Sequence, residues 1–436
     1  MKIHRVATFV MAVSFTATTS AWAGSWSTQA TLATNAYQGS IAIDASGNLV
    51  AVWYQNGVNE IYASTSTVGH AWAAPTDISG GTGSATGNPT VRMSTAGNAT
   101  AIYTSPTIGA AYADKPKGGA WTSPLATNGV NQFYVSNDSG VEGLAWGTGG
   151  ARGSSSTVVA IHRPAGGVWS APATLAAAAH LAFDGAIVAP DGSMSVSWES
   201  FDSVCGSRTC KTSNWVLHVS TVAAGSQIWV DSGPIMGPDA TQHFTQLAAD
   251  NVGDLGAISL LNGNIVSIVR HGSTWSSQAI VASNSSFGFY TGTGRDNRIF
   301  ASDSAGHATF VGWGDIHLQT LAAIDGNLTT NTWGSPATIS GADQFPGYFD
   351  FQMSSSGAAI VFYPLTLQTG NTPWHAITRP GAGKPWNAPA AAGTSYEGGG
   401  TPESVTINAA GQAAVVFHGY SSDSTTYIQY TNSYQP

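Results

Sequence analysis

Eight tryptophans recur at similar intervals along the chain, and their spacing restricts the possible folds more than any other feature of the sequence. Successive members of the series are 46, 49, 48, 60, 46, 58 and 53 residues apart. A repeat of about 50 residues with strand-like content is typical of a β-propeller, in which each repeat forms one blade. The series consists of Trp26, Trp72, Trp121, Trp169, Trp229, Trp275, Trp333 and Trp386.

Each repeat also contains a glycine between two short apolar runs. Glycine supplies the positive φ that a tight β-turn requires, and the runs are rich in β-branched and aromatic residues. The mature chain shows no amphipathic helical pattern, so the sequence predicts an all-β fold. The turn glycines are Gly47, Gly97, Gly140, Gly192, Gly306, Gly357 and Gly411, with a weaker copy at Gly253.

The two repeated signals divide each repeat into strands A and B around the glycine, strand C, and strand D at the tryptophan. The A–B–C sets begin near residues 36, 88, 133, 184, 245, 296, 348 and 402, whereas the first D strand, at 26–32, precedes all of them. The last set, 401–432, has no D strand after it. We therefore predict that the N-terminal strand completes the C-terminal blade, which removes the free sheet edges.

The resulting prediction is a single β-propeller over residues 24–436, with eight four-stranded blades closed by the N-terminal strand. Seven blades is the alternative if the fifth repeat, which lacks the proline that usually follows the tryptophan, is misinterpreted. A string of two-repeat β-sandwiches also has this strand content, but it does not explain the early position of the first D strand.

The N-terminus has the pattern of a Sec-type signal peptide. Lys2 and Arg5 precede an apolar stretch at 6–14, and Ala21-Trp22-Ala23 matches a cleavage site, so we expect residues 1–23 to be removed after Ala23. No later apolar run approaches the ~20 residues of a membrane-spanning helix. These features predict a secreted or periplasmic protein without a membrane span, and we expect a monomer.

The charge balance opposes nucleic-acid binding. Without Lys2 and Arg5, 14 − 2 = 12 basic residues face 23 acidic ones, a formal net charge of 12 − 23 = −11. Nucleic-acid binding needs a basic face. We find no phosphate-binding loop, zinc-protease motif or EF-hand loop, so the sequence indicates neither a cofactor nor a metal site. Cys205 and Cys210 are the only cysteines, and in an oxidising compartment we expect them to form a local disulfide.

A functional site is expected in the connections that vary in length, because variable loops on a regular scaffold usually carry function. The D-to-A and B-to-C connections emerge on one face of a propeller, and their insertions fall in blades four to eight. The insertions span 199–215, 231–245, 282–299, 341–350, 364–374 and 392–403. Within them, aromatic residues can stack on sugar rings, and charged residues can bond hydroxyls. The ligand-binding candidates are Trp215, Tyr290, Arg295, Arg298, Asp315, His317, Trp374 and Glu397.

Each candidate has a structural alternative. Most tryptophans pack in the core, Asp315 and His317 suit a surface hydrogen bond, and the two arginines suit solvated loop charges. His243 and His418 also suit purely structural roles. A glycosidase needs two carboxylates about 5–10 Å apart. The acids predicted on the loop face are Glu199, Asp202, Asp239, Asp296, Asp315, Asp343, Asp350, Glu397 and Glu403.

The repeated Gly-x-Trp-x-x-Pro phrase, clearest at 119–124 and 167–172, resembles the repeat of bacterial secreted propellers related to the sialidase superfamily. That family places a Ser-x-Asp-x-Gly-x-x-Trp box at the same turn. Here the serine and aspartate of the box are absent from all eight copies, and no arginine stands in the Arg-Ile-Pro context of the sialidase triad. The resemblance therefore implies the fold and no catalytic residue. Seven-bladed bacterial lectins are also similar in their tryptophan-rich repeats.

Three hypotheses of function follow. The first is a binding propeller that recognises a glycan or another surface ligand through the variable loop face of blades four to eight. The second is a carbohydrate-active enzyme, either a glycoside hydrolase or a polysaccharide lyase. The third is a structural or protein-interaction propeller.

Overall fold

The computed structural model describes residues 24–81, 85, 87–106, 109–127, 129–130, 133–148, 155–205, 210–283, 299–315, 320–341, 349–365, 371–396, 402–420 and 426–436. These residues form strands and turns and contain no helix, hence none able to cross a membrane. The prediction of an all-β fold is confirmed.

The first half of the chain contains seventeen strands in its described residues. They are β1 (Ser25–Trp26), β2 (Ala30–Thr34), β3 (Ala36–Ile43), β4 (Asn48–Gln55), β5 (Glu60–Thr67), β6 (Thr76–Asp77), β7 (Gly87–Met93), β8 (Ala99–Ser105), β9 (Gly109–Lys115), β10 (Leu125–Ala126), β11 (Phe133–Ser136), β12 (Glu142–Thr148), β13 (Ser155–Arg163), β14 (Ala173–Val188), β15 (Met194–Cys205), β16 (Cys210–Val222) and β17 (Trp229–Asp239).

The second half adds another seventeen over the ranges that are described. They are β18 (Gln246–Ala249), β19 (Leu255–Leu261), β20 (Asn264–His271), β21 (Thr274–Trp275), β22 (Ala279–Ser283), β23 (Phe300–Ser302), β24 (His307–Asp315), β25 (Thr320–Asn327), β26 (Thr332–Trp333), β27 (Ala337–Thr338), β28 (Asp350–Met353), β29 (Ala359–Pro364), β30 (Asn371–Arg379), β31 (Ala390–Tyr396), β32 (Pro402–Ile407), β33 (Ala413–Tyr420) and β34 (Tyr427–Gln435).

Consecutive strands pair in antiparallel order. β3–β6, β7–β10, β18–β22 and β23–β27 form separate sheets. A seven-stranded sheet contains β11–β17, because β14 pairs with β13 at its start and with β15 at its end. The sequence predicted two separate strands there, so the continuous β14 is a correction. A nine-stranded sheet joins β28–β34 with β1 and β2.

Strand A of each repeat, the strand before the turn glycine, lies on the inner side of the molecule and contacts strand A of the next repeat. β3 contacts β7, β7 contacts β11, and contacts continue through β14, β18, β23, β28 and β32 back to β3. The described strands therefore form a closed ring. The count of eight blades stays a prediction; in the described strands, β14 and the β31–β33 pairing each join two neighbouring sets of strands into one sheet.

The N-terminal strands close the ring as predicted. Ser25 and Trp26 of β1 pair with Gln435 and Tyr434 of β34, and β2 pairs with the preceding part of the same strand. The Trp26 and Tyr434 ring centroids are 5.4 Å apart. The first strands thus cover the outer edge of the last blade.

The eight turn glycines all have positive φ, between +78° and +90°, as the sequence predicted. An Asp or Asn side chain often completes the turn. In the first copy, Asp44 Oδ1 accepts hydrogen bonds of 2.8 Å from the backbone N–H groups of Ser46 and Asn48. Asn137, Asp250, Asp303 and Asn408 do the same in their repeats. The side chain thereby satisfies the turn locally.

The eight repeated tryptophans are half-buried and pack against the apolar clusters of the blades. The expectation that they serve packing is confirmed. In the copies at Trp72, Trp121, Trp169 and Trp386 the tryptophan lies before the outer strand rather than in it. The proline three residues on lacks a backbone N–H, which delays strand pairing.

Two arginines join neighbouring groups at equivalent positions. Arg163 of β13 pairs with Asp114 of β9 at 2.7 Å and with Glu142 of β12. Arg379 of β30 pairs with Asp325 of β25 at 2.6 Å. Each guanidinium also lies over the ring of its own repeat's tryptophan, 5.0 Å from Trp169 and 4.8 Å from Trp386. These arginines therefore link adjacent sheets through charge and packing together.

Several of the predicted insertions contain strand residues, and 199–215 and 231–245 show this most clearly. β15 continues to Cys205 and β16 begins at Cys210, so much of 199–215 is a β-hairpin and not a loop. Cys205 and Cys210 are register partners at its end, and the disulfide stays a prediction. The segment 231–245 likewise continues β17 as far as Asp239. Successive side chains of a strand point to opposite faces, so these segments present side chains on two faces. The prediction of loops did not anticipate this.

Candidate functional site

Two of the predicted ligand-binding aromatics lie in the interior. Trp374 of β30 is completely buried, stacks on Phe362 at 4.9 Å and donates from Nε1 to Ser395 at 2.9 Å. Trp215 of β16 is 7% exposed and stacks on Phe201 at 4.0 Å. Because neither ring presents an open face, we do not place either in the site.

The structure does not describe the side chains of the other six predicted candidates. Tyr290, Arg295, Arg298, His317 and Glu397 lie outside the described residues. Asp315 ends β24, and only its backbone position is described. A ligand-binding role for these six residues therefore stays a prediction.

A pocket of about 390 Å³ lies at the axis of the ring, against the inner strands β11, β14, β18, β23 and β28. We call it the axial pocket. Its walls combine aromatic and polar side chains, chiefly Phe133, Phe183, Phe244, Phe300, Asp184 and Gln242. A mixed, preformed cavity of this size suits a small ligand.

A β-bulge directs an acidic residue into this pocket. The pairing of β14 with β15 shifts register between Phe183 and Gly185, so that Asp184 is the extra residue. Bulges re-aim a side chain out of the regular alternation of a strand. Phe183 remains beside it and contacts Phe133 edge to face, with 5.7 Å between centroids.

Asp184 begins a buried chain of ionisable groups, which we call the acid–histidine cluster. Its carboxyl group interacts with that of Glu199, whose side chain is completely buried. Glu199 Oε1 accepts hydrogen bonds from the backbone N–H of His243 at 2.8 Å and lies 3.0 Å from its Nδ1. On the far side, His243 Nε2 lies 2.9 Å from Asp239 Oδ2. The cluster thus consists of Asp184, Glu199, His243 and Asp239.

The environment shifts two members of this chain, Asp184 and His243, toward the protonated form. Burial, followed by the negative charge of Glu199, raises the pKa of Asp184 well above its ordinary value. Burial alone would lower the pKa of His243, but its hydrogen bonds to Glu199 and Asp239 and their charges outweigh this effect and raise it. Two carboxyl groups in contact share a proton because like charges at such a distance repel.

A comparable acidic residue occurs in the last blade, but backbone N–H groups already donate hydrogen bonds to both oxygens of its carboxylate. Glu403 lies at the corresponding bulge of β32. Its carboxylate accepts hydrogen bonds from the backbone N–H groups of Gln38, at 2.8 Å, and Gly39, and lies 2.9 Å from His418 Nδ1. Glu403 therefore joins the last blade to the first, whereas Asp184 faces a cavity.

Sequence reasoning named Glu199, Asp239 and His243, but it did not connect them, and it missed Asp184. The only available signal was weak: Asp184 interrupts an otherwise small and apolar inner strand at 181–189. The clustering depends on a bulge and on the segment that connects β17 to β18, neither of which has a sequence signature.

Several solved structures are similar to this chain. The BP39L lectin from Burkholderia pseudomallei matches with a TM-score of 0.52 and 14% identity, over 83% of this chain and 100% of the lectin. The β-propeller domain of the Trilobed protease from Pyrococcus furiosus matches with a TM-score of 0.47 and 8% identity, over 83% and 98%. A PL25 polysaccharide lyase, ulvan lyase, matches with a TM-score of 0.42 and 11% identity, over 86% and 88%.

At these identities the likeness concerns the fold alone, and the chain is a β-propeller as predicted. No protein-family model matches the sequence, and no curated protein matches it either. The resemblance to the sialidase superfamily stays a prediction.

Proposed function

We propose that this protein is an exported carbohydrate-binding propeller whose axial pocket receives a sugar residue of a glycan. The observation that carries the proposal is the pairing, in one pocket, of phenylalanine rings with the carboxyl group of Asp184 and the amide of Gln242. Sugars offer apolar ring faces to aromatic side chains and hydroxyls to such polar groups. The signal-peptide pattern at 1–23 supports export, where extracellular or periplasmic glycans are available.

Phe244 at the pocket supports a binding role. It is 43% exposed and has φ of +52°, between the buried residues His243 and Thr245. A bulky side chain in the left-handed region costs about 1–2 kcal/mol, and such strain is concentrated at functional sites. The strain is sustained because the hydrogen bonds of His243 fix the segment on one side.

The proposal is tested on a glycan array and by calorimetry with the full chain. Phe244→Ala should weaken binding about tenfold, because roughly one aromatic contact is lost. Val168→Ala is the control, since Val168 is an exposed apolar residue outside the pocket. Equal affinities of wild type and Phe244→Ala for the ligand found would exclude the axial pocket as the site, and an array without any binding would reject the function itself.

A carbohydrate-active enzyme is the second candidate, favoured by a carboxyl group held protonated beside aromatic rings, as a general acid requires. However, the carboxyl groups of Asp184 and Glu199 are close enough to raise the pKa of Asp184, whereas glycosidase pairs stand about 5–9.5 Å apart with room for substrate or water between them. Incubation with a polysaccharide panel, followed by assays for reducing ends and unsaturated products, separates the two. Product formation that Asp184→Asn abolishes would replace the binding proposal with catalysis.

A further inference from the structure

We propose that the sugar received by the axial pocket carries a free, positively charged amino group, as in glucosamine, and that this ammonium lies against the carboxyl group of Asp184 at the bulge of β14. The inference rests on the proposed function, because it names the ligand class of the same pocket.

Among the described residues that line the axial pocket, all ionisable charge is negative. Asp184 is its only ionisable residue, and no lysine or arginine lines it within the described ranges. Glu199 and Asp239 lie behind Asp184, with His243 between them. The inner strands that flank β14 at this level present Phe133 and Gln246 to the pocket, and neither side chain titrates. A cation therefore meets attraction from the pocket and no opposing charge.

The protonation state explains why an ammonium fits better than a neutral group. The acid–histidine cluster contains three carboxyl groups, those of Asp184, Glu199 and Asp239, and a single imidazole, that of His243. Loss of the Asp184 proton would bring two buried carboxylates into contact, which is unfavourable without a compensating cation. An ammonium has three N–H donors and can bond to both carboxyl groups of the pair.

Binding is then an exchange. The ammonium enters and Asp184 releases its proton to solvent, so one positive charge replaces another beside the carboxyl pair. No covalent bond forms or breaks. The sugar ring meanwhile contacts the aromatic wall, where Phe183 and Phe133 already pack edge to face at 5.7 Å. Phenylalanine faces also favour a nearby cation through their quadrupole.

The contrast with Glu403 supports this assignment. That acid lies at the corresponding bulge, but two backbone N–H groups and His418 already surround its carboxylate. Asp184 also accepts a long hydrogen bond of 3.5 Å from Gln242 Nε2 and one from the backbone of Thr245, but its buried Oδ2 and the buried Oε2 of the neighbouring Glu199 have no donor among the described residues. The carboxylate of Glu403 is thus surrounded by donors, whereas the pair of Asp184 and Glu199 keeps two buried oxygens that a proton or a cation would complete.

The test is titration calorimetry of the full chain with glucosamine oligomers and with fully N-acetylated oligomers of the same length. At a pH where the amine is charged, the free-amine oligomer should bind roughly 10- to 100-fold more tightly, the value of one charge-assisted contact. Titrations in two buffers of different ionisation enthalpy should show release of about one proton per ligand bound.

Asp184→Asn should remove the preference for the amine and the proton release while leaving the affinity for the acetylated oligomer. Asp202→Asn is the matched control, because Asp202 is an exposed carboxylate on the β15–β16 hairpin, bonded to Asn214. If Asp184→Asn does not fold, the proton count of the wild type still decides the question.

Equal binding of both oligomers without proton release would overturn the inference and leave the proposed function standing. Binding of a neutral or acidic glycan in preference to the amine would also overturn it. Absence of binding to any glycan would reject the proposed function along with it.

Discussion

Replacing Arg163 by methionine should destabilise the protein much more than replacing Arg379 by methionine, although both arginines occupy the same place in their repeats. Both side chains are buried, with exposures of 2% and 1%. Methionine retains an apolar stem against the neighbouring tryptophan ring, so the two substitutions differ mainly in what they do to the acidic partners.

The acidic partners differ in burial. Arg163 pairs with Glu142, whose side chain is only 6% exposed, and with Asp114, which is 33% exposed. Burial alone would lower the pKa of Arg163, but hydrogen bonds and charges from Asp114 and Glu142 raise it, so the guanidinium stays charged. The partner of Arg379 is Asp325, which is 51% exposed and which water can solvate once the arginine is gone.

The magnitudes follow from these exposures. Removing one member of a buried ion pair leaves an uncompensated buried charge and costs about 3–5 kcal/mol, which we expect for Arg163→Met. Loss of charge-assisted bonds to an exposed carboxylate costs about 1–2 kcal/mol, which we expect for Arg379→Met. The difference between the two free energies of unfolding should therefore be about 2.5 kcal/mol, within a range of roughly 1–4 kcal/mol.

The assay is equilibrium urea unfolding followed by tryptophan fluorescence, with midpoints and slopes compared across variants. The double variant Arg163→Met/Glu142→Gln should recover about half of the loss or more, because glutamine is neutral and still accepts the 2.7 Å hydrogen bond from Tyr134. Equal losses for the two single variants, or no recovery in the double variant, would refute the reasoning that the buried carboxylate sets the cost.

Three further predictions concern the turns, the ring closure and the acid–histidine cluster. Gly192→Ala should cost about 1–2 kcal/mol in urea unfolding, because φ there is +90°, whereas Gly381→Ala should stay within about 0.5 kcal/mol; similar losses would contradict this. Deleting residues 24–34 exposes the edge of β34, so light scattering should detect self-association and the melting temperature should fall; a stable monomer would speak against closure. The folded state keeps a proton on Asp184 that the unfolded chain releases near its ordinary pKa of 3.8, so stability should decrease as pH rises from about 4 towards the raised pKa. Asp184→Asn should flatten this slope in thermal unfolding between pH 4 and 8; an unchanged slope would assign it to other groups.

Much of the fold was accessible from local signals. The turn glycines, the tryptophans and their phase predicted the strand groups and the closure of the ring, because turn chemistry and strand propensity act over a few residues. The boundaries were less accessible. The separate strands expected around 169–188 form the single strand β14, since tertiary pairing on both sides extended it.

The candidate site was largely hidden from the sequence. Trp374 and Trp215 were predicted to present open faces, but the packing of Phe362 and Phe201 covers them. Burial depends on what neighbouring strands bring, and residue type alone does not encode it. Asp184 went unnoticed for the same reason, because a lone aspartate in an inner strand has no recognisable pattern.

The sequence by itself determined the repeat, the turn positions, the all-β content and the strand that closes the ring. Those properties arise from backbone conformation and from residues close together in the chain. Only the tertiary structure decided which acids meet: Asp184 at the bulge of β14, Glu199 in the middle of β15, and the segment that runs from Asp239 at the end of β17 to His243. Their contact is a consequence of strand register and of the path of the chain between β17 and β18, and it sets both the raised pKa values and the chemistry of the axial pocket.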